Sequence, residues 1–466
     1  MDYKKIKLKT GLEIHQQLDT GKLFCHCPSY LRKDKPDFEV KRKLHKVAGE
    51  TGEVDTAVEY EKSLDKEFIY QGYKDTTCLV ELDEEPPHQL NKEALDIALQ
   101  ISLLLNCEIV PVSQIMRKTV INGSNTSGFQ RTVLIAKDGY IETSSGKVGI
   151  WYVYLEEDAA RTISKDEKKV TYKLDRLGIP LVEIVTAPDI ETPEQTKEVA
   201  LQIGDILRAC KVKRGIGTIR QDINVSIKGY PRAEIKGFQD PKTFVAVVEK
   251  EIQRQQNNLK EKKELKNEVR GANPDATTKF LRPLPGGARM YPETDLPLLK
   301  ISREKINEIK SSLPKLKSDI KDELKKKGLN NELINLVLED LDQFQTLTKI
   351  YDKDAPLIAK MITLWQPAKK LSEANLEKIL EALKENKIEK SDVKKVMEKL
   401  SKGEKFEQAI KVEKFSADEV EEEIAKIVKE TPGLRPNAYM GIVMAKLKGK
   451  VDAKKAMEII EKIIEG

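Results

Sequence analysis

The residues of this sequence that could do chemistry sit inside strand-like runs. Side chains two positions apart on a strand share a face. In Gly11-Leu12-Glu13-Ile14-His15, Glu13 and His15 point one way while Leu12 and Ile14 point the other. In the run 219–227 one face reads Arg220, Asp222, Asn224 and Ser226. Glu234 and Lys236 share a face in the run 233–236, and Tyr154-Leu155-Glu156-Glu157-Asp158 ends a strand with three acids. Glu183 stands alone among Leu181, Val182, Ile184 and Val185, and a carboxylate in such a strand is costly without a partner. Carboxylates with an imidazole and an amide suit a hard cation, and Arg or Lys suits phosphate. Two readings therefore stand side by side: a Mg2+–nucleotide site, or the wet outer face of an antiparallel sheet.

A second constellation is the run MRKTVINGSNTSGFQRT over 116–132, which holds Lys118, Ser124, Ser127 and Arg131. Cations, small hydroxyls and two glycines in one loop can wrap a phosphate. The GxxxxGK[ST] pattern is absent, so it is not a P-loop, and an ordinary polar hairpin is the alternative. Cys25-His26-Cys27 could offer thiolates to zinc, with Cys78 or His88 completing four ligands. No CxxC pair accompanies them, so the reading prefers loop and core cysteines, and no zinc is expected at Cys25 and Cys27. Cys107 and Cys210 sit in apolar helical contexts and read as core. No Cys or Ser has the flanks of a GxSxG nucleophile.

The elements that must position these groups follow from pattern. As far as about Pro297, short β-type runs alternate with turn signals. Helical periodicity interrupts them over 91–105, over 192–209 with Thr192 as N-cap and Pro193 at the first position, and over 241–264. From about Lys300 Lys- and Glu-rich segments at helical period run to the end. The reading is three domains: 1–298 mixed and catalytic, 299–410 helical, and 411–466 a helical tail. With 82 Lys+Arg against 77 Asp+Glu, the net charge of +5 excludes a histone-like polycation and still allows a local basic face. Five cysteines and no apolar leader argue for a reducing, cytoplasmic setting rather than a disulfide framework. The most apolar long stretch, 94–112, contains Asp96, Gln100, Asn106 and Glu108, so it reads as an amphipathic helix and no membrane association is expected.

GLEIHQQL, EEDAAR, DRLGIPLVEIVTAPDI, IRQDINVSI, AEIKGFQD and MYPETDLP, in this order, resemble the B/E subunit family of tRNA-dependent amidotransferases. MRKTVINGSNTSGFQRT, TCLVELDEEPPH and FLRPLPGGARMYPETD look closer to the archaeal E type than to the B type, which is the alternative. The C-terminal GIVMAKLKGKVDAKKAMEIIEKII is similar to the tail these subunits share with YqeY proteins. E-type subunits usually carry an inserted domain just before FLRPLPGGARMYPETD; here KEKKELKNEVRGANPDATTK leads straight into that motif, and the insert is absent.

The resemblance implies an α+β fold: a catalytic domain built on an antiparallel sheet like that of glutamine synthetase, then an all-helical region. It implies a ligase that phosphorylates the glutamate of Glu-tRNA(Gln) with ATP and Mg2+ and amidates it. The ammonia would come from an asparaginase-like D subunit, in a heterodimer or heterotetramer. By the same resemblance His15, Glu157 and Glu183 match the principal Mg2+ ligands, and Glu13 and Asp222 the second metal position. Lys118, Ser124, Ser127 and Arg131 match the phosphate-side loop. Arg220 and Lys236 could hold phosphate or the substrate carboxylate, on spacing and charge alone. Lys446, Lys448, Lys450 and Lys454 cluster in the tail, which in the family leans on the outer corner of tRNA; the bland alternative is a solvated lysine face. A third reading, a non-catalytic tRNA-binding adaptor, is disfavoured because Glu13, His15 and Glu183 are all present.

Overall fold

The computed structural model describes residues 2–43, 66–120, 122–238, 240–284, 290–411, 417–446 and 453–465. The chain divides into two units, Met1–Leu316 and Lys317–Gly466.

The first unit is a mixed α/β domain. Its strands are β1 (Lys9–Gln17), β2 (Phe38–Lys43), β3 (Glu67–Gly72), β4 (Glu108–Ile109), β5 (Val112–Ser113), β6 (Ile115–Thr119), β7 (Phe129–Thr143), β8 (Gly146–Glu157) and β9 (Arg161–Lys165). They continue as β10 (Lys169–Lys173), β11 (Pro180–Thr186), β12 (Ile219–Ser226), β13 (Ala233–Phe238), β14 (Glu268–Ala272), β15 (Thr278–Pro283), β16 (Met290–Pro292) and β17 (Leu299–Lys300). The large sheet runs β15-β14-β13-β12-β1-β11-β8-β7-β6-β16, with β4 beside β7. Its neighbours are antiparallel except β13 and β14. A second sheet, β2-β3-β10-β9, packs Phe68, Tyr70 and Tyr172 into a small apolar cluster of its own.

The alternation in the sequence decides which face of the large sheet is buried. Leu12 and Ile14 of β1, Val182 and Ile184 of β11, Ile223 and Val225 of β12 and Val153 and Leu155 of β8 are completely inaccessible. They share one core with the helices α1 (Lys92–Leu104), α2 (Pro193–Ala209) and α3 (Phe244–Lys260), through Ile97, Val199, Ile203, Val247 and Val248. Two of these helices start as their sequences dictate. The Asn91 side chain accepts a hydrogen bond from the Ala94 N–H (3.1 Å), and Thr192 Oγ1 accepts one from the Gln195 N–H (3.1 Å) just ahead of Pro193. Because the helices cover the apolar face, the interleaved polar residues are presented together on the other.

The first unit extends past the composition change near residue 300. Leu299 and Lys300 pair with Ser113 and Val112, and helix α4 (Arg303–Ser311) is tied to α1 by Lys305 against Asp96 (2.9 Å). Ile301 and Ile309 belong to the same core as the sheet. Apolar burial, not Lys/Glu content, sets this boundary.

The second unit is helical throughout its described residues, from Lys317–Lys326 to Ala453–Glu465. It holds two separate apolar clusters, one built from residues between Leu324 and Ala409, the other from residues between Val420 and Ile460. Asn330, Asp340 and Asp354 cap helices by accepting hydrogen bonds from the N–H groups of Leu333, Gln343 and Leu357. Among the described residues no helix is long and apolar enough to cross a membrane.

Candidate metal and phosphate site

Strand register lays the polar residues out in rows. Arg220, His15, Glu183 and Tyr154 stand side by side across β12, β1, β11 and β8. One step along, Asp222, Glu13, Val185 and Tyr152 form the next row. Glu234 on β13 faces Asn224 on β12.

Two donor groups result. In the first, His15 Nε2 is 3.6 Å from Glu183 Oε1 and 3.7 Å from Glu156 Oε1. Lys118 Nζ lies 3.8 Å from the other Glu183 oxygen and 4.0 Å from that of Glu156. In the second, Glu13, Asp222 and Glu234 converge, with Lys236 Nζ bound to both Asp222 and Glu234. Asn224 donates to Glu13 Oε1 (2.9 Å), while its own Oδ1 is buried with no hydrogen-bond partner. A divalent cation needs such oxygen donors.

Electrostatics fit the same reading. Burial, then the neighbouring Glu183 charge, pushes Glu156 up to about 8. Burial, then Glu234 and Glu183, pushes Glu13 up to about 7. Against its own burial, Glu183 is held below the usual carboxylate range by its neighbours, among them the Lys118 charge and the hydrogen bond from Glu156. Burial holds His15 below its ordinary value, so the imidazole stays neutral and can act as a ligand. Carboxylates this crowded and this poorly hydrated are places where a cation displaces protons.

A cavity of about 400 Å³ opens over this face, lined among others by His15, Lys118, Ser124, Asn125, Arg220 and Lys236. Arg220 is held in place by Asp158, whose carboxylate accepts at 2.9 and 3.2 Å and also accepts from Gln17 (2.7 Å).

The structure therefore brings Glu13, His15, Glu183, Asp222, Lys118, Ser124, Arg220 and Lys236 to one place. It does not bring Glu157, Arg131 or Ser127 there. Glu157 pairs in register with Pro180, whereas Glu156 pairs with Leu181, two residues from Glu183; alternation therefore puts Glu156 on the cleft face and Glu157 on the other. Glu157 instead accepts from the Arg131 N–H (3.1 Å) and faces its guanidinium (3.4 Å). Arg131 also meets Glu293 (2.8 Å), which binds Arg117 (2.6 Å), so Arg131 belongs to a buried ion network under the sheet. Ser127 donates to the Phe129 carbonyl (3.0 Å). Sequence reasoning notes Glu234 and the acids Glu156 and Asp158 as polar strand residues but gives them no role, and it does not pick out Asn125. The signal for Glu156 is present all the same: Val153 and Leu155 are the core-facing residues of the run, so Glu157 shares their face and Glu156 opposes it.

In the tail, Lys446 ends the helix Pro436–Lys446, is exposed and lies 3.4 Å from Glu430. Lys454 is in the last helix, Ala453–Glu465, and Lys448 and Lys450 fall outside the described residues.

One face of an antiparallel sheet thus carries two carboxylate clusters beside lysines and an Arg, donor types that divalent cations and anions take. The family model described as the GatB/GatE catalytic domain matches residues 8–307. The chain is similar to the E subunit of glutamyl-tRNA(Gln) amidotransferase from Methanocaldococcus jannaschii, 39% identical over 99% of both chains. It is similar to the protein of the same name from Methanococcus maripaludis, 34% identical over 97% of both chains, and to that of Pyrobaculum neutrophilum, 33% identical over 99% of this chain and 100% of the relative. This chain belongs to the GatB/GatE family. The alignment with the Methanocaldococcus protein runs over 623 positions against 466 residues here, so more than a hundred positions have no counterpart in this chain.

Proposed function

We propose that this chain is the E-type component of a tRNA-dependent amidotransferase, using ATP and Mg2+ to phosphorylate the γ-carboxylate of glutamate carried by tRNA(Gln). A γ-carboxylate oxygen attacks the γ-phosphorus of ATP and ADP leaves. Ammonia then attacks the acyl carbon, phosphate leaves, and Gln-tRNA(Gln) results. A free carboxylate is a poor acyl donor because it would have to expel oxide; phosphate is a good leaving group. The single observation that carries this reading is the presence of two donor clusters, His15/Glu156/Glu183 and Glu13/Asp222/Glu234, on one face of one sheet. Bound there, Mg2+ would neutralise charge between two anions that otherwise repel.

The chain's own residues have distinct work in this scheme. Lys118 and Lys236 face the carboxylates from either side and offset negative charge when substrate enters. Arg220, oriented by Asp158, offers a planar fork to a phosphate or carboxylate. Ser124 and Asn125 supply hydrogen-bonding groups at the cleft wall. The antiparallel, helix-backed sheet supports the comparison with glutamine synthetase, which activates a carboxylate in the same way. The second apolar cluster of the helical unit, Val420 to Ile460, supports a separate YqeY-like tail module. The ammonia source in this proposal is an asparaginase-like D subunit, joined to this chain as a heterodimer or heterotetramer in the cytoplasm.

The test is ATP cleavage by the purified chain with its partner. Glu-tRNA(Gln) should stimulate ADP formation in the presence of Mg2+, and uncharged tRNA should not. Equal rates with both would refute carboxylate activation.

A further inference from the structure

The polar rows of the cleft end on aromatic residues. On β8, Tyr154 stands beside Glu183, and Tyr152 stands beside Val185 in the row of Glu13. Their two rings lie with centroids 5.7 Å apart. Trp151 joins them through an irregularity of the strand. Ile150 pairs with Thr186 and Tyr152 with Val185, so Trp151 is the extra residue of a β-bulge. Strict alternation would bury either Trp151 or Tyr152. With the bulge both are exposed, 48% and 39%, between buried Ile150 and Val153. A single exposed aromatic is ordinary. Three on one strand, in a chain with only two tryptophans, form a surface on which a nucleobase can stack.

Further along the same strands the surface turns basic. β1 and β8 run in one direction, each antiparallel to β11 between them. Going back from His15 through Glu13 leads to Lys9, and going back from Tyr152 leads to Lys147, at the same end of the sheet. There a groove of about 820 Å³ is lined by Lys4, Lys7, Lys9, Lys147 and Ser145, with Asp189 and Glu191 as its acids. All four lysines are exposed, and Asp189 already accepts from the Gly149 N–H (3.1 Å). Four cations against two acids leave a positive balance. From Glu13 to Lys9 is four residues of strand, about 13 Å. Aromatic stacking beside a basic groove is the combination that holds single-stranded nucleic acid. A ligand of phosphate alone would not use the aromatics, and an apolar protein segment would not need the lysines.

Resting on the function proposed above, we infer that the track from Tyr154 through Tyr152 and Trp151 to Lys9 and Lys147 binds the unpaired 3′ end of the aminoacylated tRNA. The glutamate is esterified to the last nucleotide. A γ-carboxylate held at His15 and Glu183 therefore brings that nucleotide toward Tyr154 and Tyr152 on the neighbouring strand. The preceding phosphates then run toward the lysine groove. ATP is left to the cavity at the other end of β8, where Glu156, Lys118, Ser124 and Arg220 lie. Stacking is tolerant of base identity, so this track anchors the end of the substrate and leaves the choice of tRNA to other surfaces.

The experiment uses the full chain carrying Trp365→Phe, which leaves Trp151 as the single tryptophan. tRNA(Gln) should quench its fluorescence. The same tRNA without its unpaired 3′ nucleotides should bind and leave the fluorescence unchanged, and ATP with Mg2+ should not quench. This readout needs no phosphate transfer, so it fails or succeeds independently of the proposed reaction. In the complex with the partner subunit, Tyr152→Ala should raise KM for Glu-tRNA(Gln) about tenfold with KM for ATP unmoved, and Tyr152→Phe, which keeps the ring, should restore it. Lys7→Ala combined with Lys9→Ala should raise the same KM and lower its dependence on the logarithm of salt concentration by about one to two. Quenching by ATP alone would give the aromatics to the adenine of ATP and overturn the inference, as would undiminished quenching by the shortened tRNA. Loss of the partner subunit from Trp151→Ala or Tyr152→Ala would also overturn it, marking the patch as a subunit contact.

Discussion

His15 and Glu183 stand directly opposite each other on antiparallel neighbours, with His15 Nε2 3.6 Å from Glu183 Oε1. The pair sits at the centre of the sheet, flanked by Arg220 and Tyr154 in the same row. Lys118, 3.8 Å from Glu183, offsets one of the negative charges crowded there. A shared cation would offset the rest.

Glu183→Ala should therefore abolish Glu-tRNA(Gln)-dependent ATP cleavage, a loss of at least about 10²–10³-fold. tRNA binding should stay nearly unchanged, because the substitution removes a proposed metal ligand and no tRNA contact. Rapid-quench measurement of ADP beside a filter-binding titration checks both halves. Retained phosphate transfer would remove this carboxylate from the chemistry.

The two adjacent glutamates should separate cleanly. Glu156→Gln should lower turnover with little effect on melting temperature, since it leaves the core intact. Glu157→Ala should do the reverse and destabilise the fold by about 1–3 kcal/mol, because buried Arg131 loses one of its two carboxylates and keeps Glu293. Equal effects of the two on turnover would contradict the facing assigned by strand register.

pH should couple to Mg2+ in a defined direction. Glu156 titrates at about 8 and Glu13 at about 7 in the fold, against about 4.3 in the unfolded chain. A carboxyl raised on folding contributes stability that is full below its unfolded value and is lost as pH rises through the folded one. Without divalent cations, melting temperature should fall as pH rises from about 4.5 to about 8, and the gain on adding Mg2+ should grow over that window. In Glu156→Gln much of this dependence should disappear. A Mg2+ effect that is flat with pH would show that protons are not displaced.

The lysine-bearing tail should act on tRNA through charge. Deleting residues 415–466 should raise KM for Glu-tRNA(Gln) and flatten its salt dependence, since fewer counterions are released on binding. Amidation of bound substrate with free ammonium should change little. Full tRNA affinity in the truncated chain at every salt concentration would reduce the tail to a structural element.

Much of this is legible in the sequence because strand alternation is local. The faces bearing Glu13 with His15, and Arg220 with Asp222, follow from period two alone. Which strands lie side by side does not follow, so Glu234 gains its place only with β13 seen beside β12. The motif resemblance favours Glu157 over Glu156, although the flanking Val153 and Leu155 already point the other way. Arg131 reads as a phosphate ligand in the sequence because its partner Glu293 lies 162 residues away, a contact no local pattern reveals. Cys25, Cys27 and Cys78 are legible as possible neighbours, but Glu81, which joins them in the structure, is not.

The most direct measurement follows oxygen. Glutamate labelled with 18O in its γ-carboxylate is charged onto tRNA(Gln) and converted with ATP, ammonium and the complete enzyme. If the carboxylate is phosphorylated and then displaced by ammonia, one labelled oxygen must leave with each inorganic phosphate released. Phosphate that carries no label while Gln-tRNA(Gln) accumulates would contradict acyl-phosphate formation at this site.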